Sequence, residues 1–110
     1  MLIPPIKIER GIAMAVVLIH EGPTLTQERY DEIVRRLSGG SGRLESTSDW
    51  PVDGLLMHVA GQSPTGFRVV DVWESEAACR QFAEVLKPIL AEVGVTDQAV
   101  LYPPHAFVTT

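Results

Sequence analysis

Proton transfer near neutral pH needs an imidazole or a carboxylate in an unusual setting, and this sequence places a few of each where they draw notice. Its three histidines are His20, His58 and His105. His58 falls inside the apolar run 55–60 (LLMHVA), and Asp71 interrupts the run 67–73 (FRVVDVW) as a lone carboxylate. Alternation along a strand puts Asp71 on one face with Phe67, Val69 and Trp73, and Arg68, Val70 and Val72 on the other. A carboxylate among such neighbours must be paired, hydrogen-bonded or protonated. Asp71 is therefore either a base or a structural group bonded to Arg, Tyr or backbone N–H. His58 is either a general base or a strand histidine hydrogen-bonded within the sheet layer. Trp73 ends the same run, where an indole can pack in the core or offer its face and N–H to a ligand. His105 lies in the tail, at an interface or across a pocket mouth. The catalytic candidates are His58 and Asp71, and the substrate-binding candidates are Trp73 and His105.

Other chemistries find little support. No histidine pair has the i, i+4 spacing of a helical zinc site, and the single cysteine, Cys79, supplies no thiolate cluster, so no metal is expected. Cys79 reads as packing. The glycines at 39, 40 and 42 follow a helical pattern and lack the GK[ST] ending of a phosphate loop.

The elements that must position these residues follow from periodicity. Residues 14–19 (MAVVLI) read as a strand buried on both faces. Gly22 and Pro23 break it, and Thr24 or Thr26 caps a helix, Thr24 with Gln27 fitting a capping box. Tyr30, Ile33, Val34 and Leu37 form that helix's apolar stripe, with Asp31–Arg35 and Glu32–Arg36 as exposed pairs. Ser38, Gly39 and Gly40 stop it, and residues 41–53 form a long polar connection in which Trp50 is a lid over the core. Runs 55–60 and 67–73 are two strands joined by a loop over 61–66. Ser75 caps a second helix whose apolar face carries Cys79, Phe82, Leu86, Ile89, Leu90 and Val93. Pro88 should kink or break it, and Gly94 ends it. Residues 99–102 and 106–108 form a last strand at a sheet edge, interrupted by Pro103 and Pro104. The order β-α-β-β-α-β is the ferredoxin-like plan, an α+β fold. Two helices cover one face of such a sheet, and a homodimer is the simplest cover for the other.

With 110 residues there is room for one domain, preceded by an arm over 1–13 that carries Pro4 and Pro5; residues 14–110 form the domain, and Met14 is an alternative start. Apolar residues make up 45% and charged residues 21%, the balance of a folded chain. Fourteen acidic residues against nine basic ones give a net charge of −5, which repels a phosphate backbone, so no nucleic acid is expected as partner. The longest apolar run, 12–19, falls short of the roughly 20 residues a membrane helix needs, so no membrane partner is expected. The start lacks a basic n-region and a cleavage site, which points to the cytoplasm.

The segment GFRVVDVWES at 66–75, preceded by HVAG at 58–61 and followed by a helix, resembles the dimeric α+β barrel proteins, and within them the small actinobacterial proteins related to antibiotic biosynthesis monooxygenases. TQERYDEIV at 26–34 and YPPHAFV at 102–108 are similar too, so the resemblance spans about 14–108. It implies a dimer with a small-molecule pocket between helices and sheet, and no cofactor. Trp73 matches the tryptophan that monooxygenase and haem-degrading members place in that pocket. The first-strand asparagine of those members has no counterpart, since the chain contains no Asn, and residues 75–93 lack the histidine of the haem degraders. The resemblance therefore implies a pocket for a planar, mostly apolar or aromatic ligand. The activity it implies is cofactor-independent monooxygenation with His58 or Asp71 as base. A non-catalytic ligand-binding or accessory dimer, or a biosynthetic isomerase or cyclase, would use the same pocket.

Overall fold

The computed structural model describes residues 15–109. The arm over 1–13 lies outside them. Four strands and two long helices follow in the order β1 (Val16–Glu21), α1 (Gln27–Leu37), β2 (Leu55–Ser63), β3 (Gly66–Trp73), α2 (Glu76–Val93) and β4 (Val100–Tyr102), with one 3₁₀ turn at Thr47–Asp49. The sheet order is β2-β3-β1-β4 with every pairing antiparallel, which is the ferredoxin-like topology.

Local chemistry sets the ends of the helices. Thr26, not Thr24, caps α1, its hydroxyl accepting from the Arg29 N–H. Thr24 is committed elsewhere: its N–H, its hydroxyl and the Leu25 N–H all donate to Asp97 Oδ2, tying the entry to α1 to the loop before β4. Glu32 pairs with Arg36 as the spacing suggests and also takes Arg35, in place of the expected Asp31–Arg35 pair. Ser75 caps α2 and Gly94 closes it in the left-handed region, as expected. Pro88 does not break α2, which runs through it unbroken. It sits on the exposed side, where water can satisfy the Glu84 carbonyl that loses its donor.

The hairpin is tighter than the glycine pattern suggests. Ser63 pairs with Gly66, so β2 and β3 run into the expected loop and leave only Pro64 and Thr65 between them. The last strand is shorter. Only Val100–Tyr102 pairs, along β1 at the sheet edge; 106–108 forms no ladder, and Phe107 instead packs on the sheet with Val17, Val70 and Val72.

Both helices lie on one sheet face. There Val16, Leu55 and Trp73 meet Ala78, Cys79 and Phe82 of α2, while Phe67 and Val69 meet Ile33 of α1 and Leu25 just before it. Trp50 and Val52, from the connection between α1 and β2, close the first cluster, as the lid reading of Trp50 expects. The opposite face carries Val17, Ile19, Met57, Val70 and Val72, with Val59, Val100 and Tyr102 exposed beside them.

Candidate active site

Asp71 and His58 meet across neighbouring strands. Asp71 follows the alternation that carries Phe67, Val69 and Trp73 toward the helices, and the register sets His58 opposite it. That register depends on an irregularity. Leu55 pairs with Trp73 but Met57 with Val72, so Leu56 is an extra residue and the strand bulges there. Without it His58 would point to the opposite face, because a shift of one residue exchanges the two faces of a strand.

The side chains complete a connected chain of polar groups. His58 Nδ1 lies 2.6 Å from Asp71 Oδ1, and the Trp73 indole N–H donates to Asp71 Oδ2 at 3.3 Å. Both oxygens of a carboxylate that is only 3% exposed are thus engaged. A carboxylate only accepts, so the network assigns the proton of a neutral His58 to Nδ1 and leaves the Nε2 lone pair facing away from Asp71. There the Tyr30 hydroxyl donates to Nε2 across 2.6 Å. Asp71, His58 and Tyr30 form a carboxylate–imidazole–hydroxyl relay, the arrangement by which an oriented base acts on an O–H proton.

Aromatic rings hold the relay in place. The Tyr30 ring lies nearly parallel to the imidazole, with centroids 5.9 Å apart, and 5.2 Å from Phe67; Trp50 packs against the imidazole at 4.8 Å. Burial pushes the Tyr30 phenol up to about 12, and the Asp71 and Asp31 carboxylates add to the effect. It is a hydrogen-bond donor at neutral pH. Burial also pushes the Cys79 thiol up to about 11, so Cys79 is no nucleophile.

The remaining candidates are placed apart. Trp73 is fully buried, 5.2 Å from Phe82 in the main core cluster, and has no open face on which a ligand could stack. Its contact with the site is the N–H on Asp71. His105 is exposed in the tail, two residues before Phe107, which packs on the far side of the sheet; it is not part of the relay. His20 is buried and its Nε2 lies 2.9 Å from the Asp97 carbonyl, in the knot with Thr24. Among the described residues, no group of three or more His, Cys, Asp or Glu side chains could hold a metal ion, and no helix is long and apolar enough to cross a membrane.

Sequence reasoning missed Tyr30, which it counted in the apolar stripe of the first helix. The signal was its hydroxyl, since a tyrosine on a buried stripe needs a partner for its O–H. Among the described residues, open grooves flank α1 on two sides. One, of about 460 Å³, lies between α1 and the loop after it, against Tyr30, Val34, Gly40, Gly42 and Leu44. The other, of about 610 Å³, lies at the start of α1 beside Gln62, Thr65 and Phe67. Of the two, only the first reaches the relay, through Tyr30.

The same arrangement of strands and helices occurs in known proteins. SnoaB from Streptomyces nogalater, a cofactor-independent oxygenase, is similar at a TM-score of 0.55 and 12% identity, over 89% of this chain and 100% of that one. The two chains share the ferredoxin-like α+β fold. A candidate monooxygenase from Shewanella loihica PV-4 is similar at a TM-score of 0.53 and 24% identity, over 91% of this chain and 100% of that one. A candidate antibiotic biosynthesis monooxygenase from Chloroflexus aurantiacus J-10-fl gives 0.50 and 16%, over 86% and 97%. No family model and no curated protein matches the sequence.

Proposed function

We propose that this chain is an enzyme that binds a planar, mostly apolar phenol and oxygenates it without a cofactor, with His58 as base. The observation that carries the reading is the relay of Asp71, His58 and Tyr30, with two contacts of 2.6 Å beneath an aromatic cover. The fold shared with SnoaB supports it. His58 takes the phenolic proton at Nε2, while Asp71 keeps the imidazole in the accepting tautomer and stabilises the imidazolium that forms. Trp73 is a positioning residue that holds Asp71. The phenolate then gives one electron to dioxygen, and the phenoxyl radical and superoxide join at the para carbon in a new C–O bond. His58 returns its proton to the peroxide. Cleavage of the O–O bond with loss of the para hydrogen releases water and leaves a quinone. Phenol and dioxygen become quinone and water, so dioxygen is the only oxidant required. The rings of Tyr30, Trp50 and Phe67 exclude water from the base.

The working unit in this reading is a cytoplasmic homodimer joined through the apolar sheet face that carries Val59, Val100 and Tyr102. An exposed apolar face of this kind marks an association surface, and light scattering giving a monomer at micromolar concentration would remove the dimer. Oxygen uptake with 1,5-dihydroxynaphthalene, followed with quinone absorbance and with a chelator present, tests the activity. Turnover by wild type and its loss in His58→Gln are expected; inactivity of wild type toward a panel of fused-ring phenols would sink the reading. One observation favours a non-catalytic ligand-binding dimer instead: His58 Nε2 already holds the Tyr30 hydroxyl.

A further inference from the structure

We propose that Tyr30 is the substrate-facing end of the relay, and that the groove between α1 and the following loop seats the phenol. The chemistry of this inference rests on the oxygenase reading of the same site, while the seat can be tested by binding alone. Both nitrogens of His58 are engaged, Nδ1 by Asp71 and Nε2 by Tyr30, and its side chain is 17% exposed. A ligand therefore meets the relay at Tyr30. That residue is among those lining the groove, and its hydroxyl contacts His58. A tyrosine hydroxyl has one proton to donate and two lone pairs; the proton goes to His58, and among the described residues no second hydrogen bond engages the oxygen.

A substrate O–H can donate to that oxygen, and two protons then move together. The substrate O–H bond breaks as a new Tyr30 O–H bond forms, and the original Tyr30 O–H bond breaks as Nε2–H forms. One proton reaches His58 and Tyr30 stays neutral throughout. The paired movement matters because burial holds the Tyr30 phenol up at about 12, out of reach as a free phenolate at neutral pH. The groove also indicates the ligand. Val34 and Leu44 are its apolar walls, Gly40 and Gly42 add no side chains to the loop wall shared by Ser41, Leu44 and Glu45, and Asp31, Arg35 and Glu45 stand on it with both signs of charge. Its volume of about 460 Å³ lies in the range of small-molecule sites, about 300–1,000 Å³. An uncharged fused-ring phenol of two or three rings matches this shape and polarity.

The test uses 1,5-dihydroxynaphthalene as probe. In an anaerobic titration followed by amide NMR, the signals of Val34, Gly40 and Gly42 are expected to shift; shifts confined to the Gln62–Phe67 groove, or none, would overturn the seat. Val34→Trp, which fills the groove away from the relay, is expected to weaken binding at least tenfold, and unchanged affinity would also overturn it. Tyr30→Phe keeps the ring packing and is expected to bind within about threefold of wild type while kcat falls on the order of a hundredfold, as for loss of a proton-transfer group. Wild-type turnover in Tyr30→Phe would overturn the relay role alone. Groove binding by a wild type that never turns over would overturn that role together with the oxygenase reading.

Discussion

Replacing Asp71 by Asn changes one atom of a buried group, and the surrounding donors dictate the outcome. Trp73 can only donate, so the Asn carbonyl oxygen must face the indole N–H and the amide NH₂ must face His58 Nδ1. Nδ1 then has to accept, which moves the imidazole proton to Nε2 and turns the Tyr30 hydroxyl from donor to acceptor. Every hydrogen bond survives, so the expected stability loss is under about 1 kcal/mol, the net value of one ordinary hydrogen bond. The base is lost. With a proton on Nε2, turnover should fall by a factor of about 10² to 10⁴, the contribution of a general base. Asp71→Ala differs: it orphans the N–H of the fully buried Trp73 and the Nδ1–H of His58. At about 1–3 kcal/mol for each unsatisfied buried donor, discounted for the partial exposure of His58, it should lose about 2–4 kcal/mol. For a domain of this size that lowers Tm by on the order of 10–20 °C. Thermal melts compare the two variants, and imidazole ¹⁵N shifts report the tautomer. An Asn variant that melts as low as the Ala variant, or that keeps its proton on Nδ1, would refute the reasoning.

Three further outcomes follow from the same contacts. Absorbance titration of the two tyrosines should show one ionising near about 12, and Tyr30→Phe should remove that late step. Because the folded value lies above the unfolded one, the stability linked to Tyr30 is complete below about pH 10 and is lost as pH rises toward 12. The Thr24 hydroxyl, helped by the Thr24 and Leu25 N–H groups, holds the Asp97 carboxyl below its ordinary value, so its contribution is present above about pH 4 and disappears as pH falls further; Asp97→Asn should flatten that acid limb of a melting profile. Gly54 has φ of 109° and an added Cβ would lie 2.7 Å from Ala78 Cβ, so Gly54→Ala should lower stability by about 1–3 kcal/mol, and a denaturant midpoint equal to wild type would count against the packing of α2 on the start of β2.

The architecture was legible because hydrophobic period and punctuation agree: Gly22–Pro23, Ser38–Gly40, Ser75 and Gly94 mark the element ends, and the ferredoxin-like order follows from them. The site was legible only in its parts. Asp71 stands out as a lone carboxylate in an apolar strand, and His58 as the nearest imidazole. Strict alternation from Leu55, however, puts His58 with Leu56 on the face away from Leu55. The bulge at Leu56 reverses this, and a leucine in a run of apolar residues carries no mark of the extra position. Trp73 was misleading for the opposite reason. An indole at a strand end can pack inward or face a pocket, and only the packing of Phe82 and Cys79 over it decides that it is core. Helix periodicity assigns Tyr30 to the apolar face correctly, but it counts rings and ignores hydroxyls. Its bond to His58 crosses 28 residues and depends on how α1 lies over β2.

The most direct test of His58 as the base of a cofactor-independent oxygenation is the isotopic mass of the quinone formed from 1,5-dihydroxynaphthalene under ¹⁸O₂. The protein is first treated with chelator and freed of small molecules. One ¹⁸O atom in the product with wild type, and none above the uncatalysed background with His58→Gln, is the predicted result. Wild-type product without ¹⁸O, or equal incorporation by both proteins, would contradict it.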